Sequence, residues 1–305
     1  MRKFWGLTKR NLLVFFKDKT MIFFSMLTPI IIFVLYLLFL RGTYVSSLEH
    51  HAEKLLTLGL VTSGDLSALA NGLLLTGIMG SALITIPYNC LVTLVNDREK
   101  GVDVDLTVTP ASRLQIVLAY FTAAALSAIL MTAMILLAGL LILQFSHATY
   151  LTAKALLLLF GTMILGAISS TAVFMAILLF IKSSSASAAF LGILSAASGF
   201  LIGAYIPISD FSSGIESFCN LFPATGITIL IRRFLLTDLL NHVDAGIQGL
   251  DQGQFISAIK ESFTFESSLF GKVLTLNQSY LYVIIITVAF LFAIALIYPK
   301  VYKRK

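Results

Sequence analysis

Six stretches of the chain are continuously apolar and contain no Asp, Glu, Lys, Arg or His. They are residues 21–40, 69–95, 114–143, 155–181, 186–206 and 280–298. Each is long enough to cross a hydrocarbon core of about 30 Å as a helix, which takes about 20 residues. Continuous apolar runs favour helices over the short alternating segments of a β-barrel. The pattern therefore predicts an all-α integral membrane protein with six transmembrane helices.

Composition and charge agree with this class and add an orientation. The 305 residues are 58% hydrophobic and 12% charged, which excludes a soluble globular protein. Six spans put both termini on one side, and that side then carries 14 of the 21 Lys and Arg residues. In membrane proteins Lys and Arg are more frequent on the cytoplasmic side. We therefore expect both termini on the cytoplasmic side of a plasma membrane, such as the bacterial inner membrane. No basic stripe alternates with aromatic residues, so we expect no nucleic-acid partner.

Residues 1–20 precede the first span and have the pattern of an amphipathic helix. Apolar or small side chains recur at helical spacing on one side: Phe4, Thr8, Leu12, Phe15 and Phe16. The cations Lys3, Arg10 and Lys17 recur every seven residues on another side. Such a helix lies in the membrane interface with its cations near anionic lipid headgroups. It is either an anchor only or also a contact surface for a cytoplasmic partner.

Two spans carry stripes of small and polar residues. In the second span the members follow each other at i, i+4: Gly77, Ser81, Thr85, Asn89 and Thr93. In the fifth span the main members are Gly192, Ser195, Gly199 and Gly203. Small residues permit close packing of helices, and uncharged polar residues also suit the wall of a translocation path. Both interpretations stay open, with a face between two copies of the chain as part of the second.

The segment 96–112 is the only sizeable inner loop that this topology leaves. It combines acidic and basic residues with a glycine and ends in Thr109-Pro110 before the third span, which Ser112 can cap. It is either a solvated connector or a short helix that docks on another protein. The residues that we expect to make such a contact are Asp97, Arg98, Glu99, Lys100, Gly101 and Leu106.

The outer segment 207–279 divides into two parts. The first is apolar but interrupted by Pro207 and Pro223, and it predicts two short helices that re-enter the outer leaflet, the second ending at Arg232-Arg233. Pro207 and Pro223 are the candidate outer-gate positions. The second part, Asn241–Asn277, is polar and predicts a small surface excursion with an amphipathic stretch at Gln254–Phe263.

No pattern of catalytic or cofactor-binding residues is found. Gly271-Lys272 resembles the end of a phosphate loop, but Glu266 stands where the first Gly belongs and Val273 where Ser or Thr belongs. The neighbours His50 and His51 point to different sides of a helix or strand, so no metal site is expected. The chain by itself is therefore not expected to be an enzyme or to hold a cofactor. Since the spans lack ionisable groups for a coupling ion, energy for uphill transport would come from another protein.

Three segments together resemble the permease subunits of ABC transporters of the type-2 exporter family. Lys9-Arg10 through Asp18 into a span with Pro29-Ile30 is similar to the family's interfacial helix and first span. Residues 97–101 with Leu106 and Thr109-Pro110 resemble its coupling-helix signature, and the stretch from Pro207 to Arg233 resembles its outer re-entrant helices. The excursion Asn241–Asn277 is longer than in compact members, so the resemblance does not extend to the substrate.

The resemblance implies a six-span half-transporter that pairs with a second permease copy, expected to form a homodimer. Two separate ATPase subunits holding Mg-ATP would dock on the coupling helices, and the membrane lipids are its other partners. The uncharged stripes favour export of an amphipathic or hydrophobic cargo such as a peptide, a drug or a lipid. The alternatives are a stand-alone channel or secondary transporter, and a membrane subunit for sensing or immunity that transports nothing.

Overall fold

The computed structural model describes residues 2–102, 105–106, 109–145 and 150–301. The helices are α1 (Arg2–Lys17), α2 (Lys19–Leu35), α3 (Arg41–Thr57), α4 (Ser63–Glu99), α5 (Arg113–Phe145), α6 (Ala153–Leu178), α7 (Ser184–Leu201), α8 (Ser213–Leu221), α9 (Pro223–Ile247), α10 (Gln254–Ser262) and α11 (Leu276–Val301). A π-helical turn, Tyr36–Leu40, joins α2 to α3, and a 3₁₀ turn, Ile208–Asp210, precedes α8. Two short antiparallel strands, β1 (Ser268–Leu269) and β2 (Lys272–Val273), precede α11.

Within the described residues, six helices are long and apolar enough to cross a membrane, which confirms the predicted all-α membrane class. The helices begin before the apolar runs because polar residues cap their N-termini, whereas α6 and α7 end before their runs do. Thr62 and Asp65 form a reciprocal capping box that starts α4 at Ser63, six residues before the predicted span. At α5 the Ser112 amide donates to Gln115 Oε1 at 3.1 Å, and the Gln115 amide donates to Ser112 Oγ at 3.2 Å. Ser112 thus caps this helix, as predicted.

Helix α4 is the centre of the bundle and packs against α2, α5, α6, α7 and α9. In its most apolar 18-residue window 83% of the residues are buried, against 17% in α11 at the periphery. Glycines let α9 come close to α4: a Cβ at Gly72 would lie 2.3 Å from the Leu236 side chain, and one at Gly80 would lie 2.4 Å from that of Thr228. The core therefore lies around α4, and the two ends of this helix reach opposite faces of the bundle.

The two faces are named here by what they carry. The terminal side holds α1 and the end of α4, whereas the distal side holds α10 and the strands. On the terminal side α1 lies along α5 and buries Thr8, Asn11 and Phe15. The predicted amphipathic helix is thus α1, and part of its apolar side, with Thr8 and Phe15, is buried against the bundle.

The first span does not end at residue 40. Helical backbone runs without a break from Lys19 to Thr57, a helix of 39 residues, whereas the apolar run that predicted this span ends at residue 40. The helix continues because Leu48, Ala52 and Leu55 recur at helical spacing and are buried against α4 and α10. The segment Arg41–Thr57 is thus an amphipathic helix, although its polar composition did not predict one.

The two predicted re-entrant helices are α8 and α9, which meet at 89°. Helix α9 has 25 residues and does not end at Arg232-Arg233 as predicted. Arg232 is only 4% exposed. Its buried guanidinium donates hydrogen bonds to the carbonyls of Phe263 and Thr264, the latter at 2.9 Å, and these bonds compensate for its loss of water. These carbonyls close α10, so the arginine joins the excursion to the bundle. The predicted amphipathic stretch is α10 itself.

Candidate functional site

The last turn of α4 carries four consecutive polar side chains, Asn96, Asp97, Arg98 and Glu99, which we call the α4 hub. The sequence predicted a loop from residue 96 to 112, but α4 continues through Glu99. Neighbouring residues of a helix point about 100° apart, so the four side chains reach different elements. The turn is thus in contact with several elements of the bundle, although Glu99 itself is exposed.

Asp97 connects α4 to α1 and α5 at once. Arg10 Nη2 donates to Asp97 Oδ1 at 3.0 Å, and Arg10 Nη1 donates to Oδ2. Tyr120 Oη donates to the same Oδ2 at 2.5 Å. The Asp97 side chain is 9% exposed and that of Arg10 33% exposed, so the two-pronged ion pair is largely shielded from water. The hydrogen bond from Arg10 to Asp97 raises the pKa of Arg10 above its ordinary value.

Arg98 connects α4 to the end of α6. Its Nη1 donates to the carbonyls of Leu179 at 3.0 Å and Ile181 at 2.8 Å, directly after α6 ends at Leu178. Carbonyls at a helix C-terminus lack partners in the helix and carry partial negative charge. The guanidinium supplies both a donor and the complementary charge, so it fixes the end of α6 to that of α4.

Glu99 and Asn96 connect α4 to the start of α7. Glu99 Oε2 accepts from the Ser184 amide at 3.2 Å and from Ser184 Oγ. Asn96 Oδ1 accepts from Ser184 Oγ at 2.8 Å, and the single hydroxyl proton serves one of the two acceptors at a time. Ser184 is the first residue of α7, where a carboxylate complements the positive end of the helix dipole. The α4 hub thus binds the middle of α1, the third turn of α5, the end of α6 and the start of α7.

The loop after the α4 hub turns back to α1. Lys100 is exposed, and Gly101 has φ +74°, a left-handed conformation that suits glycine. Residues 102, 105 and 106 are helical, with Leu106 packed against the core. Lys3 Nζ donates to the Pro110 carbonyl at 3.1 Å, and residues of α1 and 109–111 line an open groove of about 210 Å³. Residues 103, 104, 107 and 108 of the predicted coupling segment lie outside the described residues.

The stripe on α4 is buried within the chain. A Cβ at Gly77 would lie 3.0 Å from that of Ala204, just beyond α7. Ser81, Thr85 and Asn89 donate to carbonyls of their own helix at 2.9–3.0 Å. The buried hydroxyl of Thr93 has no hydrogen-bond partner within the described residues. In this conformation the stripe is a packing surface, and its place in a translocation path stays a prediction.

The residues of the stripe on α7 have different surroundings: the first lies at the surface, and the last two lie at the turn that follows the helix. Gly192 is exposed, and Ser195 Oγ accepts from Thr28 Oγ1 of α2 at 3.1 Å. A Cβ at Gly199 would lie 2.3 Å from the ring of Tyr205, and Gly203 has φ +69° with a Cβ position 2.8 Å from Ile208. The last two glycines therefore shape the turn that follows α7, a local reason for their presence besides any contact between copies.

The two candidate gate prolines each stand at the start of a helical element. Pro207 precedes the 3₁₀ turn, and Pro223 is the first residue of α9, where the absence of an N–H costs no helical bond. Pro223 thereby fixes the site of the 89° bend between α8 and α9. Their function in a gate stays a prediction.

Comparison with known protein families identifies the family of this chain. The chain matches the model of the ABC-2 family transporter proteins over residues 60–297, more than three quarters of its length. The chain belongs to this family. It is the permease component of an ABC transporter and a multi-pass membrane protein. Searches of curated proteins and of solved structures give no significant match.

The match covers the α4 hub, both stripes and the two prolines of the permease, but α1 precedes it. The importance of Arg10 therefore rests on its contacts with Asp97. Sequence reasoning took Arg10 for a lipid-facing cation and did not identify Tyr120 or Ser184. Tyr120 stands in an apolar span and Ser184 in a serine-rich link, so neither carried a signal. The signal that could be read was the run of acidic and basic residues at 97–101, which marked α4's side of these contacts.

Proposed function

We propose that the permease is the membrane subunit of an ATP-driven exporter. Two copies, each with both termini in the cytoplasm, would form the path, and two separate ATPase subunits would bind the loop after the α4 hub. The observation that carries this proposal is the α4 hub itself. Its side chains bind α1, α5, the end of α6 and the start of α7, so a displacement of the adjoining loop would move several helices together.

The proposal separates docking from transmission. Lys100 and Asp105 are exposed and adjoin Gly101, so they are available to a partner protein. Asp97 and Arg98 bind within the chain, so they would transmit movement rather than contact the ATPase. This assignment changes the sequence expectation, in which residues 97–101 all belonged to the docking surface.

The cargo is proposed to be amphipathic or hydrophobic. The apolar spans contain no charged side chain, and the stripe on α4 offers only small and uncharged polar groups. A strongly charged cargo would lose its hydration without gaining a partner in such a path. A peptide, a drug-like molecule or a lipid fits this composition.

The experiment begins with purification from the native membrane in mild detergent and identification of co-purifying proteins. We expect a P-loop ATPase in near-equal amount, released by Lys100→Glu combined with Asp105→Lys. Lys272→Glu, an exposed charge change on the distal side, is the matched control and should retain the ATPase.

Transport and hydrolysis are then measured in proteoliposomes that contain both subunits. Glu99→Gln weakens the contact with α7, so we expect the ATPase to stay bound while cargo moved per ATP hydrolysed falls. Transport by the permease alone, without any ATPase, would instead establish a stand-alone channel or secondary transporter. An ATPase complex that moves no cargo under any condition would indicate a sensor or immunity subunit.

A further inference from the structure

The two strands form a hairpin whose tip is apolar and exposed. Ser268 pairs with Val273 and Leu269 with Lys272, and the turn residues Phe270 and Gly271 both have positive φ, at 50° and 76°. Two such residues make the tight turn that suits a two-residue hairpin. Phe270 is 75% exposed and Val273 61% exposed, with the cation Lys272 between them. We call residues 268–273 the distal hairpin.

The distal hairpin is fixed to α8 by polar contacts. Ser268 Oγ donates to Glu216 Oε1 at 2.6 Å and accepts from Asn220 Nδ2 at 3.0 Å. Glu216 and Asn220 thus lie on the face of α8 that meets the hairpin. Ile215 and Phe218 are 52% and 60% exposed on the same helix. The hairpin and α8 therefore form one unit with an apolar exterior.

Contacts of α11 give the depth of this unit. Tyr280 hydrogen-bonds to Thr162, which lies nine residues into α6, or about 14 Å from its distal end at 1.5 Å per residue. Leu276, where α11 begins, is only about 6 Å nearer the distal side than Tyr280. Tyr282 Oη, further in, donates to the Leu221 carbonyl at the end of α8 at 2.9 Å. The start of α11, directly after the hairpin, therefore lies about 8 Å from the level of the distal end of α6, near the distal end of the spans.

The surface beside the hairpin is the membrane-facing surface of the last span. Leu281, Ile284 and Ile285 of α11 are 56%, 46% and 56% exposed and lie within three residues of Tyr282, which contacts the end of α8. The exposed side chains of the distal hairpin continue this apolar surface toward the distal side. Aromatic residues at such a level sit among lipid headgroups, and a lysine beside them can extend its ammonium to the phosphates.

We propose that the distal hairpin is a lipid-binding element that inserts into the distal leaflet of the bilayer. Phe270 and Val273 enter the boundary between headgroups and acyl chains, and Lys272 binds the phosphate of a phospholipid. The occupant is lipid because the hairpin continues the lipid-facing surface of α11 at interfacial depth. The proposal depends only on the membrane fold and not on the proposed export function.

The test uses tryptophan fluorescence, since Trp5 is the only tryptophan in the chain. Phe270→Trp in a Trp5→Phe background is reconstituted into phosphatidylethanolamine and phosphatidylglycerol vesicles. The matched control is Leu250→Trp in the same background. Leu250 is 69% exposed and follows α9, whose Gly246 lies against Leu60 before the start of α4, outside the apolar spans.

We expect Phe270→Trp to emit at shorter wavelength than the control. It should lose severalfold more fluorescence to lipids brominated near the carbonyl end of their acyl chains, and less to aqueous acrylamide. Acrylamide quenching equal to the control, without bromolipid quenching, would overturn the proposal by placing the hairpin in water. Quenching by neither agent would overturn it as well, because protein would then cover the tip. Val273→Trp repeats the measurement if the first variant does not fold.

Discussion

The ion pair between Arg10 and Asp97 permits a quantitative prediction. A hydrogen bond to a charged group contributes about 1.5–3 kcal/mol, and Asp97 accepts two from Arg10 and one from Tyr120. Removing one partner of a buried pair costs about 3–5 kcal/mol, but Arg10 is one third exposed and solvent screens part of the interaction. We therefore expect Asp97→Ala to lower the free energy of unfolding by about 3 kcal/mol.

The assay is a double-mutant cycle with Arg10→Ala, Asp97→Ala and the double variant. The free energy of unfolding of each is measured in detergent micelles by titration with SDS, with circular dichroism as the signal. The expected coupling energy is about 2 kcal/mol. Lys9→Ala, an exposed cation beside Arg10, is the control and should change stability by less than about 0.5 kcal/mol. A coupling energy between Arg10 and Asp97 below about 0.5 kcal/mol, no larger than the stability change of the control, would refute the reasoning.

The pH dependence of the same pair has a definite sign. The pKa of Arg10 is raised in the folded protein by its hydrogen bond to Asp97. Its contribution to stability is therefore complete below the pKa of the unfolded chain and is lost only as pH rises through the higher folded value. Both lie far above neutrality, so deprotonation of Arg10 should not weaken the pair when the pH is raised within the neutral range.

Three further predictions concern the distal side and the turn after α7. Gly203→Ala should lower the thermal midpoint of unfolding, since the residue has φ +69° and its Cβ would lie 2.8 Å from a neighbour, whereas Gly192→Ala, with open space around it, should not. Arg232→Ala leaves the carbonyls at the end of α10 without their donor, so it should destabilise the protein by about 3 kcal/mol and raise hydrogen exchange in α10. Arg233 is only partly buried, so Arg233→Ala should have little effect on stability or on hydrogen exchange. An impermeant maleimide should label Lys272→Cys on intact cells if the distal side is outside, and labelling only after lysis would reverse the orientation.

The spans could be predicted from sequence because each depends on a local property, a run of apolar residues without charge. Their ends could be placed only where a cap was recognised, as at Ser112. The distal side was harder, since Arg232 looks like the end of an apolar run. Its charge is tolerated inside the protein because two carbonyls, about thirty residues away in the chain, accept its hydrogen bonds.

The α4 hub could be located from sequence but not understood. The acidic and basic pattern of residues 97–101 marked the right segment. The partners, however, lie 87 residues away at Arg10 and 85 away at Ser184, and nothing in the local pattern connects them. Tertiary packing decides which charges bind within the chain and which remain for another protein.

The unbroken helix from Lys19 to Thr57 has a mechanical consequence. At 1.5 Å per residue its 39 residues make a rod of about 58 Å, nearly twice the thickness of a hydrocarbon core of about 30 Å. Tilting this rod by about 10° around its terminal-side end would swing the distal end by about 10 Å, as simple geometry on that length requires. Tyr44, in its distal half, donates to the Ala204 carbonyl at 2.8 Å and meets the Phe263 ring edge-on at 5.4 Å. Any such swing must therefore carry the turn after α7 along or break its bond to Tyr44, so Tyr44 links the movement of this helix to that turn.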